Sequence, residues 1–353
     1  MKSHSELNTS APRVVAVTMG DPAGVGPEIA LKALAGWDRA SWRPVIIGSG
    51  LILRRAASHV NPGADLFRLE SLSDAFRHGE KPSRICYLEP DGIPDLSQLK
   101  WGTIQAESGL AARMFIDAAV REALKGSAAA VCTGPIHKEA MKRAGFAFPG
   151  HTEYLAHLCG TQKFAMLLCG GGLRVALATI HEAVKDVPGL ITRELVLERL
   201  ALMKEFLPLF GPVEPRIAVC GLNPHSGEGG MFGREEIEVI GPAIQRAREL
   251  GIHAEGPHPA DTVFHRMIRG EFDGILAMYH DQGLGPLKTL AFYEGVNITM
   301  GLPFIRASVD HGTGFDIAGR GIANAGSMKA ALETAVNLAE NLNNSMGRMK
   351  GTT

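Results

Sequence analysis

The sequence is poor in the features that announce several protein classes. Its 353 residues hold only five cysteines, Cys86, Cys132, Cys159, Cys169 and Cys220, an odd number with no C-x-x-C spacing. Neither a disulfide framework nor a zinc ribbon is supported, and a reducing cytoplasm is the expected setting. Excess charge is also missing: 36 Lys+Arg stand against 37 Asp+Glu, a net of −1. An extended grip on nucleic acid or on an anionic membrane needs a basic face, so neither partner is expected. Any anionic ligand must then be held by a few local basic groups. No run reaches the roughly 18 uncharged apolar residues of a membrane span, because Arg174 interrupts the most apolar stretch, 164–180. The first twelve residues lack the apolar core of a signal peptide, so no export is expected. Fixed-period repeats, low-complexity tracts and long linkers are absent, and composition marks no domain boundary.

What is present is ample apolar material, 45% of the chain, and a length that suggests two domains. Short β-rich apolar runs alternate with amphipathic helical patterns, the signature of an α/β fold with a largely parallel sheet. Strands are expected at 14–17, 45–48, 85–88, 129–132, 165–169, 174–179, 217–220, 274–278 and 296–299, and helices at 27–34, 51–58, 104–124, 192–206, 234–250 and 327–343. Gly126 is placed to stop the third helix. Gly170-Gly171-Gly172 reads as a hairpin turn, hence one antiparallel element.

Three segments are dense in glycine. Met19 to Glu28 follows the first strand and opens a helix, with Pro27 near its first position; its spacing is G-x-x-x-G-x-G, so the G-x-G-x-x-G dinucleotide fingerprint is lacking. Either a close backbone approach to an anion or a tight strand-to-helix turn explains it. Gly221 to Gly233 mixes Asn, His, Ser and Glu among its glycines directly after a strand, where ligands of open α/β sheets bind. Asp310 to Ala325 precedes the last helix and by itself indicates a closely approached loop.

Three histidines share one local setting. His181, His225 and His280 each lie a few residues beyond an expected strand. Strands of one sheet would bring these imidazoles toward a common crevice, and three neutral imidazoles with an open position suit a catalytic divalent metal. Chance placement among 13 histidines is the competing explanation. Asp261 and Asp281 supply oxygen ligands or partners that orient an imidazole. Anion binders are found in Thr133 to Lys138 and in Gly150-His151-Thr152-Glu153, which begins a helix, and downstream in Lys288, Asn297 and Arg306.

Together the blocks TMGDPAGVGPEI, TGPIHKEAM, PGHTEYL, CGLNPHSGEGGMFGREE, PADTVF, AMYHDQG and GVNITMGLPFIRASVDHGTGFDIAGRG resemble the 4-hydroxythreonine-4-phosphate dehydrogenase family of pyridoxal phosphate biosynthesis, over about residues 15–343. The resemblance implies a two-domain α/β fold similar to isocitrate and isopropylmalate dehydrogenases, with largely parallel sheets and an interdomain active-site cleft. The first domain would comprise 13–135 plus 300–345, and the second 136–299, carrying metal ligands and dimer contacts. It further implies a homodimer with the active site shared across the interface, one divalent metal (Zn, Mg or Co) and NAD(P). Carried over by motif, the metal ligands are His181, His225 and His280, and the substrate contacts are His151, Thr152, Lys288, Asn297 and Arg306. Asp261 or Lys138 is the expected proton acceptor.

The third glycine segment resembles the adenosine loop of isopropylmalate dehydrogenases, which implies cofactor contacts at Gly312, Asp316 and Gly319. An Asp on the ribose diol repels a 2′-phosphate, so Asp316 favours NAD over NADP. The implied reaction is metal-dependent oxidation of 4-phosphooxy-L-threonine at the C3 hydroxyl, followed by decarboxylation to 3-amino-2-oxopropyl phosphate. Phe292-Tyr293-Glu294 resembles instead the relatives that oxidise 4-phospho-D-threonate or 4-phospho-D-erythronate, and more distant relatives act on a dihydrodiol dicarboxylate. From a different class, a metal-dependent sugar-phosphate lyase or hydrolase would use the same imidazoles without a nicotinamide.

Overall fold

The computed structural model describes residues 13–78, 84–148 and 150–350. Among them are twelve strands: β1 (Arg13–Thr18), β2 (Trp42–Ile47), β3 (Asp65–Arg68), β4 (Arg84–Leu88), β5 (Ala130–Thr133), β6 (Ala165–Gly170), β7 (Leu173–Leu177), β8 (Ile217–Cys220), β9 (Ala254–His258), β10 (Gly274–Ala277), β11 (Val296–Met300) and β12 (Ile305–Val309). The chain divides into two compact units, one running up to Gly160 and resuming at Leu302, the other Thr161–Gly301.

In the first unit the strands run in the order β3-β4-β2-β1-β5-β12, and every pairing is parallel. Helices cover such a sheet on both faces, so its central strands are apolar without alternation. β5 and β12 are buried throughout, and β1 from Val14 onward. Each fully buried Val, Leu or Ile adds about 1.5–3 kcal/mol relative to exposure. The helix Ala106–Leu124 packs here and ends at Gly126, whose φ of +79° suits the left-handed stop.

Residues 136–160, expected in the second domain, pack instead on this unit. Gly109 is the reason: a Cβ there would lie 2.1 Å from the carbonyl oxygen of Ala140, so only glycine lets the helix Lys138–Arg143 approach. Tyr154, on the helix His151–Leu158, donates its hydroxyl to Asp117 of the same long helix.

The second unit orders its strands β11-β6-β7-β10-β8-β9. β6 is antiparallel to both its neighbours, β11 and β7, and β7, β10, β8 and β9 run parallel. The hairpin expected at the glycine triplet joins β6 to β7, with φ of +57° at Gly171 and +84° at Gly172. Positive φ at both central residues matches the right-handed strand twist. Leu168, Val175, Leu177, Ala218, Ile275 and Phe264 form its core.

The helix expected at 234–250 is divided into a wide turn, Glu236–Ile240, and a regular helix, Gly241–Glu249. Pro242 has no N–H for the carbonyl of Glu238, and Arg193 takes that carbonyl at 2.6 and 2.9 Å. No helix among the described residues is long and apolar enough to cross a membrane.

Candidate active site

The three strands that precede His181, His225 and His280 are consecutive parallel neighbours in the second unit, β7, β10 and β8. The segments that follow them therefore leave the same sheet edge, the usual position of ligand groups. Leu177 pairs with Ala277, and just beyond, Thr179 donates its N–H and hydroxyl to the carbonyl of Met278. This register carries His181 and His280 to ring centroids 5.7 Å apart. His280 opens the helix His280–Ala291, and its Nδ1 lies 2.8 Å from Asp281 Oδ1, which leaves Nε2 as the outward nitrogen. His225 takes another course: its side chain is two-thirds exposed, with Nδ1 3.1 Å from Glu228 Oε2. Among the described residues no three His, Cys, Asp or Glu side chains of one chain converge on a metal position. The paired imidazoles are a chemically fitting part of a donor set for a divalent metal, and His225 is not brought to them within one chain.

Sequence reasoning missed two buried residues that organise this edge. Gln282 accepts from Met278 N at 2.7 Å and donates to the Gly221 carbonyl at 2.8 Å, tying the end of β10 to the loop after β8. Glu236 accepts from the N–H groups of Leu222 and Asn223. Burial works to raise its pKa, but the bonds from Asn223 and Leu222 outweigh it and hold the carboxyl below its ordinary value. Both sit inside quoted blocks, AMYHDQG and CGLNPHSGEGGMFGREE, and membership of those blocks was the only signal for them in the sequence. Asp261 is exposed in the first turn of the helix Ala260–Ile268. Lys288 places its ammonium 5.5 Å over the Phe292 ring, and Asn297 lies on β11.

In the first unit Arg306 on β12 is 1% exposed and donates from Nη2 to Thr133 Oγ1 at 2.7 Å. Burial pushes its pKa down to about 10, so it stays cationic at neutral pH. Burial, aided by the charge of Arg306, pushes His151 well below its ordinary value, so this ring is neutral. Its Nε2 is buried without a hydrogen-bond partner, and Thr152 beside it is 4% exposed. A buried cation, a neutral imidazole and a hydroxyl at a helix start make a chemically suitable anion receptor. Lys138 is exposed at the start of its short helix, behind His137, which caps that helix.

The first glycine segment proves to be a packed turn. All residues from Val14 to Leu31 are buried, and a Cβ on Gly20 would lie 2.4 Å from the Pro135 carbonyl oxygen. The backbone approach made possible by these glycines is to the protein itself, so the anion alternative falls. Asp21 lies inside it, its pKa raised to about 6 by burial. The third segment is anchored from below: Glu28 accepts from Gly319 N at 2.6 Å, and Lys32 donates to the carbonyls of Gly321 and Ala323. Gly319 has φ +79° and abuts Trp101. Gly312 and Asp316 are exposed on the anchored loop. A cleft of about 510 Å³ opens beside its end, lined by Lys32, Val60, Asn61, Asn324 and Lys329.

Comparison with known proteins accords with the motif blocks. The 4-hydroxythreonine-4-phosphate dehydrogenase of Trichlorobacter lovleyi is 46% identical over 94% of this chain and 99% of its own length. The D-threonate 4-phosphate dehydrogenase of Pectobacterium atrosepticum is 41% identical over 93% and 99%. A 4-hydroxythreonine-4-phosphate dehydrogenase from Klebsiella pneumoniae superposes with a TM-score of 0.84 at 41% identity, covering 93% of this chain and 99% of that one. Residues 40–335 match the family described as pyridoxal phosphate biosynthetic protein PdxA, and the chain belongs to that family.

Proposed function

We propose that this protein is a metal-dependent, NAD(P)-linked dehydrogenase that oxidises 4-phosphooxy-L-threonine at its C3 hydroxyl, the keto acid then losing carbon dioxide to give 3-amino-2-oxopropyl phosphate. The observation that carries the reading is the His181–His280 pair, at the ends of adjacent parallel strands in a chain of this family. His181 and His280 would hold the metal together with His225, and the exposure of His225 suits a homodimer in which a second copy supplies one imidazole. A divalent ion such as Zn, Mg or Co, when bound, supplies Lewis-acid polarisation of the reacting oxygen.

The chain's own groups do the rest. Arg306, cationic and dry, holds an anionic end of the substrate, while neutral His151 and Thr152 add donors at the same end. Lys288 and Asn297 hold the remainder. Oxidation releases a hydride to the nicotinamide and a proton, for which Asp261 or Lys138 is the acceptor. Asp316 on its anchored loop accepts from the ribose diol, which favours NAD.

A second reading, oxidation of D-threonate 4-phosphate, is supported by the Phe292-Tyr293 pair beside Lys288 and by the Pectobacterium relative. The test is a panel of four-carbon phosphorylated hydroxy acids with NAD and added metal, followed by reduced-nicotinamide absorbance. Highest efficiency with the L-threonine derivative supports the first reading, and with the D-threonate the second. No reduction with any of them, together with cleaved product, would establish a lyase or hydrolase instead.

A further inference from the structure

The loop that carries His225 has an unusual backbone. His225, Ser226, Gly227, Glu228 and Gly229 all have positive φ, at 51, 54, 81, 44 and 65°. Three of the five are not glycine, and L side chains adopt this region singly and at a cost, not in runs. A run of this kind persists only where its surroundings over-determine it.

The surroundings converge on one carboxylate. Glu236, 4% exposed, accepts through Oε1 from Leu222 N at 2.8 Å and Asn223 N at 2.7 Å, and through Oε2 from Asn223 Nδ2 at 3.0 Å. The same amide donates to Glu235 Oε2 at 2.7 Å, which fixes its orientation. The turn then closes with Ser226 N on the Asn223 carbonyl at 3.1 Å. Gly227 passes so close over the carboxylate that a Cβ would lie 2.6 Å from Glu236 Oε2. Thus Glu236 touches the loop on both sides of His225 without touching His225 itself.

We propose that Glu236 is a positioning residue for His225: its buried carboxylate holds 221–230 in the left-handed turn that presents the imidazole. The proposal rests on the reading of His225 as a metal ligand. Glu236→Gln tests it sharply, because the glutamine oxygen still serves the two backbone N–H groups while its nitrogen meets Asn223 Nδ2 donor to donor. Asn223 cannot flip to repair this without turning its oxygen onto Glu235.

The experiment is Co²⁺ titration of the purified protein, read from visible absorbance, for wild type, Glu236→Gln, His225→Ala and the double variant, with circular dichroism of the metal-free proteins. Glu236→Gln is expected to weaken Co²⁺ binding by about tenfold or more, as loss of an orienting partner does. In the His225→Ala background the same change should shift the Kd by less than about twofold, since a residue acting only through His225 is not additive with its loss. An equal loss in both backgrounds, or a single-variant Kd within about twofold of wild type, overturns the proposal. If His225→Ala itself leaves Co²⁺ binding unchanged, the ligand reading falls and the proposal with it. Should Glu236→Gln not fold, Asn223→Ala removes the amide's bonds to Glu236 and Glu235 while leaving the two backbone bonds to Glu236 Oε1, and the same dependence on His225 is required of it.

Discussion

Replacing Gln282 by leucine should destabilise the second unit by about 2–4 kcal/mol, although the two side chains are close in volume. Gln282 is 8% exposed and makes two buried hydrogen bonds, accepting from Met278 N at 2.7 Å and donating to the Gly221 carbonyl at 2.8 Å. Leucine satisfies neither group. A buried backbone group left without its partner costs about 1–3 kcal/mol, and neither β10 nor the loop after β8 can reach water there without moving. For a unit of about 140 residues, unfolding entropy near 0.3 kcal/mol/K converts this loss to about 7–13 °C in Tm. Thermal unfolding followed by circular dichroism measures it. Gln282→Glu is the companion variant: it keeps an acceptor for Met278 N but turns a carboxylate oxygen onto the Gly221 carbonyl, and it should lose at least as much. A Gln282→Leu protein melting within about 2 °C of wild type would refute the reasoning, because two buried polar groups cannot lose their partners for nothing.

Gly319→Ala combines a φ of +79° with a Cβ lying 2.5 Å from the Trp101 ring, so it should lower stability by about 1–3 kcal/mol and raise KM for NAD more than it lowers kcat. An unchanged KM with lower stability would separate the loop from the cofactor. His151, held neutral by burial, binds its proton more weakly folded than unfolded, so the folded state is favoured above pH 6.5 and loses stability as pH falls below it. The loss is at most about 1.4 kcal/mol per pH unit, and His151→Gln should flatten the acid side of a Tm-against-pH curve. Asp21 has the opposite sign. Its folded pKa is raised from 3.8 to about 6, so its ionisation destabilises as pH rises through that window. Asp21→Asn should therefore raise Tm at pH 8 relative to wild type and leave it nearly unchanged at pH 4; a drop at pH 8 would mean that the carboxylate is needed there.

Much of the fold was legible because parallel strands buried on both faces are continuous apolar runs. Nine strands stand close to where periodicity puts them, and the glycine hairpin is where its turn chemistry requires. Among the elements that escaped notice, three carry residues that local propensity disfavours. β12 carries Arg306 and Ser308 inside the sheet, β9 contains Gly256-Pro257, and the helix His280–Ala291 holds Gly283, Gly285 and Pro286. In each, tertiary context overrides the local propensity on which a sequence reading depends. Residues 136–160 belong with the first unit, where Gly109 is the contact point for another helix, a role that a glycine within a helical pattern does not reveal in sequence.

The site divides the same way. The residues with recognisable chemistry lie beyond strand ends, His181, His225 and Asp316 on loops and His280 at a helix start, where position alone suggests a ligand. The residues that hold those loops lie one element behind: Glu28 and Lys32 under the third glycine segment, Gln282 and Glu236 under the segment after β8. In a sequence these four are indistinguishable from solvated polar residues, because what sets them apart is burial and the backbone atom each one meets. Glycine spacing shows where the chain turns tightly but not what it turns against. The first segment packs on Pro135 and Thr313, and the segment after β8 packs on a carboxylate. Two glycine-rich loops of similar composition thus do different work, one as buried scaffold and one as the mount of an exposed imidazole. The difference resides in the buried partner, which is why a substitution at Glu236 is more informative about the loop than any of its glycines.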